Sequence, residues 1–228
     1  MLENIQAVIF DFDGTLYDFK GLPKNLCLSS LHNILKINAV QKTRKQMKGK
    51  DFSTPKEYQN HFFSLLKELG KFKSVEIAEE WYKKLYMLKM IQVLERKYTK
   101  RNSVEVLFRF LKSKNIKIAI YSDYGMLKER LLAVDFDEKF LSENVDLILS
   151  SEDFGCLKPA KKGFLEVVKK LEINSENCLM IGDRFDTDGV GALNSGMKYI
   201  EIKTHKTKDD YKPNHPLIEF EELSKVFN

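Results

Sequence analysis

Short apolar runs, each broken off by polar residues, set the framework of the chain. Residues 5–10 (IQAVIF) are rich in branched and aromatic side chains and stop abruptly at Asp11, as a strand buried on both faces stops at a polar loop. Similar runs recur at 116–121 (IKIAIY), 145–149 (VDLIL), 178–181 (CLMI) and 197–202 (MKYIEI). Between them, apolar residues fall at helical spacing over 104–112, 127–134, 163–171 and 190–195. This alternation predicts an α/β fold: a Rossmann-like, doubly wound parallel sheet with helices on both faces. Ser103, or Asn102 with Glu105 three residues on, is expected to cap the helix before the second strand.

The stretch from Asp18 to Thr99 breaks the alternation. Its apolar positions keep a helical period throughout: Leu26, Leu31, Ile34 and Leu35; Tyr58, Phe62, Leu65, Leu66 and Leu69; then Ile77, Ala78, Trp81, Leu85, Leu88 and Ile91. Thr54, Pro55 and Glu57 supply an N-cap, an N1 proline and a capping-box glutamate for the middle helix. The expected organisation is a core of residues 1–17 and 100–228 interrupted by a helical insert over 18–99.

Composition narrows the class of protein. With 43% apolar and 31% charged residues the chain is globular and not disordered, and no run approaches the ~18 apolar residues of a membrane span. There is no secretory leader pattern, and Cys27, Cys156 and Cys178 are odd in number and outside any CxxC spacing. A reducing, cytoplasmic location is expected. The four histidines show no metal spacing, and the aromatics Trp81, Tyr82 and Tyr86 read as core of the insert.

Chemistry concentrates where the strands end, the place at which doubly wound sheets bind ligands. The first strand runs into Asp11, Asp13, Gly14 and Thr15, and the second into Ser122 and Asp123. Lys158 and Pro159 lie beyond the third, while Gly182, Asp183, Asp186 and Asp188 follow the fourth. Carboxylates brought together at strand ends repel unless something positive joins them, which makes a Mg²⁺ site with hard oxygen ligands plausible.

Four segments in order, DFDGTL from Asp11, IAIYSD with Ser122, LKPAKKGF with Lys158, and CLMIGDRFDTD with Asp183, resemble the motifs of the haloacid dehalogenase-like superfamily. The insert resembles the mobile cap of the subgroup that includes phosphoglycolate phosphatase and β-phosphoglucomutase. The resemblance implies that Asp11 attacks phosphorus and Asp13 serves as general acid and base. It implies a Mg²⁺ site made by the carboxylates of Asp11 and Asp183 and the main-chain carbonyl of Asp13. Phosphate would be held by Asp11, Gly14, Thr15, Ser122, Asp123 and Lys158, with Lys158 neutralising charge. Of the last acids, the common spacing selects Asp188 to support Lys158 or the metal waters, and Asp186 reads as a solvated neighbour. Asp123 stands where many relatives carry Asn and is open to a second reading as a turn residue facing away.

The expected activity is hydrolysis of a small phosphorylated metabolite, with a phosphosugar mutase or a non-enzymatic binding protein of the same fold as alternatives. Asp13 argues against dehalogenation, which needs no protonated ester oxygen. Neither nucleic acid nor membrane is an expected partner, and a monomer or homodimer is expected. The net charge of +5 has a telling distribution: the insert carries 17 Lys and Arg against 8 Asp and Glu, and the core 21 against 25. A basic lid over an acidic floor suits an anionic substrate. Within it, Lys42, Arg44, Lys45, Lys48 and Lys50 lack interleaved aromatics and read first as a solvated helix face, with the cleft as a further possibility. Tyr17, Lys20 and Lys24 are weaker substrate candidates.

Overall fold

All five apolar runs become neighbouring parallel strands in the computed structural model, which describes residues 4–208 and 210–227. Residues 1–3, 209 and 228 of the expected core segments lie outside the described part. The strands are β1 (Ala7–Phe10), β2 (Lys117–Ser122), β3 (Leu147–Ser150), β4 (Cys178–Gly182) and β5 (Lys198–Ile202). A two-residue β6 (Leu217–Ile218), too short to leave a sequence signal, adds to the edge and gives the order β3-β2-β1-β4-β5-β6. Register sets the site: Phe10 stands opposite Ile120 on one side and Ile181 on the other. The polar residues that follow β1, β2 and β4 therefore emerge side by side at one edge of the sheet.

Alternate strand residues feed two separate cores, as the period of two requires. Val8, Phe10, Ile118, Ile120, Leu179 and Ile181 face one layer, while Ala7, Ile9, Ala119, Tyr121, Cys178 and Met180 face the other. Between β1 and β2 run α1 (Leu22–Leu28), α2 (Ile34–Met47), α3 (Pro55–Gly70), α4 (Val75–Trp81), α5 (Leu88–Lys97) and finally α6 (Val104–Ser113). The pair α7 (Leu127–Ala133) and α8 (Glu138–Asn144) separates β2 from β3; α9 (Lys161–Leu171) precedes β4 and α10 (Val190–Asn194) follows it. Helix α9 packs Phe164, Val167, Val168 and Leu171 on the second layer, and α6 packs Leu107, Phe108 and Leu111 on the first.

Several local expectations need correction. Ser103 sits at the N-cap of α6 but its buried hydroxyl makes no hydrogen bond among the described residues, so it caps by position alone. At α3, Thr54 Oγ1 accepts from Glu57 N at 3.1 Å as expected, whereas the Glu57 carboxylate accepts from Ser53 N, one residue before the cap. Of the insert's apolar residues at helical spacing, Leu31, Leu35, Ile77, Leu85 and Leu88 are exposed. For Leu85 and Leu88 the cause is visible. A π-helical turn over Tyr82–Met87 links α4 to α5 and adds a residue to the period, so the buried face passes from Ala78 and Trp81 to Tyr86, Met90, Val93 and Leu94. Trp81, Tyr82 and Tyr86 are packed core, as expected.

Candidate active site

Lys158 organises the strand ends. Its side chain, 2% exposed, reaches Asp11 Oδ1 at 2.7 Å, Asp188 Oδ1 at 2.8 Å and the carbonyl of Tyr121 at 2.8 Å. One cation held by two carboxylates offsets the desolvation that a buried ammonium incurs. The lysine loop is itself fixed from β2: the Asp123 carboxylate accepts from Ser151 Oγ at 2.6 Å and from Lys158 N at 2.9 Å. Asp123, expected among the phosphate-binding groups, thus uses its side chain to hold the loop, as in its reading as a turn residue. The helical insert is laced to the same loop, with Phe52 N donating to the Gly155 carbonyl and Leu157 N to that of Lys50.

Asp183 has neither a hydrogen bond nor an ion pair among the described residues. Burial pushes its carboxyl well above the usual range, and the charges of Asp11 and Asp188 push it further. Asp11 is also driven up by burial, drawn back by Lys158 and raised again by Asp188 and Asp13, reaching about 8. Carboxylate oxygens of Asp11, Asp183 and Asp188 lie within 4.8 Å of one another. Three hard oxygen donors, one of them without a protein partner, fit a divalent cation that removes this repulsion. Gly14 permits the approach: its φ is +94°, and a Cβ there would stand 2.4 Å from Asp183 Oδ2.

Asp13 is held differently. Tyr17 Oη donates to its Oδ1 at 2.6 Å, Ser122 Oγ lies 3.3 Å from Oδ2, and the guanidinium of Arg130 spans both oxygens. Burial would raise this carboxyl, but Arg130 outweighs it and the group sits below its usual range. Thr15 is fully buried, with its hydroxyl unpartnered among the described residues. Asp188 is buried against Lys158, while Asp186 is half exposed and pairs with Lys48 and Arg184.

A cavity of about 240 Å³ joins Asp11, Asp13, Lys158, Asp183 and Asp188 to Gln41, Arg44, Lys45 and Lys48 of the insert. The solvated-face reading of the basic cluster therefore fails for Arg44, which is buried. Its guanidinium lies 3.6 Å over the Tyr124 ring and donates to the Asp123 carbonyl, while Nη1, 3.7 Å from Glu152 Oε1, makes no hydrogen bond among the described residues. Lys42 and Lys50 stay exposed outside the cavity, and so do Lys20 and Lys24; Tyr17 is buried against Asp13. Arg130 was not anticipated. The signal was a charge at the i+3 position of an otherwise apolar face, Leu127, Leu131 and Val134, on α7.

Known proteins resemble this chain in sequence and in fold. Glyceraldehyde 3-phosphate phosphatase of Methanothermobacter thermautotrophicus is 26% identical over 213 residues, covering 90% of this chain and 88% of the relative. Its namesake in Pyrococcus furiosus is 26% identical over 218 residues, with 90% and 83% covered. Among solved structures, a predicted phosphoglycolate phosphatase from Haemophilus somnus matches with a TM-score of 0.67 at 15% identity over the whole of both chains. A HAD phosphatase from Thermococcus onnurineus matches at 0.63 and 17%, covering 98% of each. The family model for haloacid dehalogenase-like hydrolases matches residues 5–196, from just before β1 to just beyond α10. A match of that span takes in β1 to β4, the insert and all four strand-end segments, and the chain belongs to the haloacid dehalogenase-like hydrolase family.

Proposed function

We propose that this phosphatase hydrolyses a small phosphorylated metabolite through an aspartyl phosphate on Asp11, with Mg²⁺ held by the carboxylates of Asp11 and Asp183 and the main-chain carbonyl of Asp13. The observation that carries the reading is Lys158, which binds Asp11 and Asp188 together in one cavity beside the unpartnered Asp183. An Asp11 oxygen attacks phosphorus, the phosphorus–ester oxygen bond breaks, and the leaving oxygen takes a proton from Asp13. Water then attacks the phosphorus, gives its proton to Asp13 and releases orthophosphate, restoring Asp11. Lys158 neutralises Asp11 and the transferring group, and the Ser122 hydroxyl donates to a phosphoryl oxygen. When bound, the metal ion offsets the repulsion between anionic nucleophile and anionic phosphate.

Residues 18–99 act as a cap on a core formed by 1–17 and 100–228, with Arg44 and Lys45 turned toward the substrate. A cavity of about 240 Å³ suits a triose-sized ester, in keeping with the names of the relatives. A cytoplasmic location fits three free cysteines and the lack, among the described residues, of a helix able to cross a membrane. The purified protein is expected to hydrolyse p-nitrophenyl phosphate and acetyl phosphate only with Mg²⁺, and Asp11→Asn to lose turnover. Metal-independent hydrolysis, or full activity in that variant, refutes the reading.

A further inference from the structure

We infer that Arg130 is a positioning residue for the water half of the reaction, aiming the Asp13 carboxylate and the Ser122 hydroxyl at the phosphoryl group from behind. The inference rests on the phosphatase reading above and assigns a residue that none of its steps names.

Arg130 is fully buried on α7, on the apolar face with Leu127 and Leu131. Packing alone gives no reason for a guanidinium there, because an apolar side chain of similar volume serves a buried face as well or better. What the guanidinium does contact belongs to the site. Nη2 spans the two oxygens of Asp13, and Nη1 donates to Ser122 Oγ at 3.2 Å and to the Tyr124 carbonyl at 3.4 Å. Its plane is wedged by Phe12 and Tyr124, whose ring centres lie 4.8 and 5.3 Å from the guanidinium carbon. Nε is buried without a hydrogen bond among the described residues, so the group is placed for its contacts with Asp13, Ser122 and the Tyr124 carbonyl and not for its own full satisfaction.

The consequence follows from Ser122. Its oxygen accepts from Arg130 Nη1 and from Tyr124 N at 3.3 Å, and its single proton points to Asp13 Oδ2. When that proton turns to a phosphoryl oxygen, Asp13 loses a donor. Arg130, bridging both Asp13 oxygens, together with Tyr17 then holds the carboxylate in the orientation from which it takes the proton from water.

The test is decay of the phosphoenzyme, formed with Mg²⁺ and acetyl phosphate and followed by rapid quench after a chase. Acetate leaves without help from an acid, so phosphorylation does not depend on Asp13. Arg130→Met is expected to slow decay by about 10-fold or more, against the ~10²–10⁴-fold contribution of a whole acid–base group. kcat and KM should fall together, with kcat/KM held within about threefold. Arg130→Lys, which keeps a cation, should decay at an intermediate rate, and Asp13→Asn should gain no further slowing from Arg130→Met. A rate constant is read per phosphorylated molecule, so partial misfolding does not alter it, and Arg130→Lys serves if the Met variant fails to fold. Decay at the wild-type rate in both variants overturns the inference, as does a loss confined to kcat/KM, which a merely structural arginine would give. Absence of any phosphoenzyme in the wild type refutes the phosphatase reading itself.

Discussion

Replacing Asp11, the proposed nucleophile, by its uncharged isostere should stabilise the metal-free protein, and more so as the pH rises. Burial and the neighbouring Asp188 and Asp13 lift Asp11 from an ordinary 3.8 to about 8, against the pull of Lys158. Between these values the folded protein holds a proton that the unfolded chain has released, so the contribution of this group to stability falls with rising pH across that window. The full difference is on the order of 6 kcal/mol, of which roughly 4 kcal/mol falls between pH 5 and pH 8. Asp11→Asn cannot ionise, and whatever its amide gains or loses at Lys158 is the same at both ends of the window. For a chain of this length the melting temperature of Asp11→Asn should therefore gain about 10 °C on the wild type between pH 5 and pH 8, in chelator. Mg²⁺ should supply the opposite pattern: it requires the ionised carboxylates, so it should raise the wild-type melting temperature more at pH 8 than at pH 5. A constant offset between variant and wild type across that range would refute the reasoning, because Asp11 would then not be the group whose ionisation the fold resists.

Two further substitutions bear on the same strand ends. Lys158→Met leaves Asp11 and Asp188 buried without their shared cation and should cost about 3–5 kcal/mol in urea unfolding at pH 8, with activity lost; a cost under about 1 kcal/mol would show that the ion triad does not hold these loops together. Gly14→Ala places a methyl where Asp183 must come and forces an alanine to a φ of +94°, so it should cost about 1–3 kcal/mol and abolish the Mg²⁺-induced rise in melting temperature, and an unchanged rise would refute the close approach.

What the sequence disclosed divides along physical lines. Strands β1 to β5 were legible because a strand buried on both faces must be apolar throughout and must end where the chain meets water, which fixes both its run and the site at its tip. Asp11 and Asp183 were legible for the same reason: they lie just beyond those ends, and the register of β1 with β4 brings them together, whereas Lys158 and Asp188, farther along their loops, were singled out only by the resemblance of their motifs. The exposure of Leu85 and Leu88 was not legible because periodicity carries no mark of a π-helical turn, and one added residue turns the buried stripe by about 100° around the helix. Arg130 and Arg44 belong to another kind of information. Each is a charge whose partner is 117 or 79 residues away, Asp13 for one and the Asp123 carbonyl for the other. Capping and period are local, and no local pattern names a distant partner. A charge on an apolar helix face is nevertheless a definite statement. Burial without a counter-charge costs several kcal/mol, so such a residue requires an acid or a carbonyl at its tip. In this fold α7 follows directly on β2, and the acids nearest the end of β2 are those of the site. Reading Arg130 as a demand for a partner, and then asking which partner the sheet order offers, leads to Asp13 before any side chain is placed.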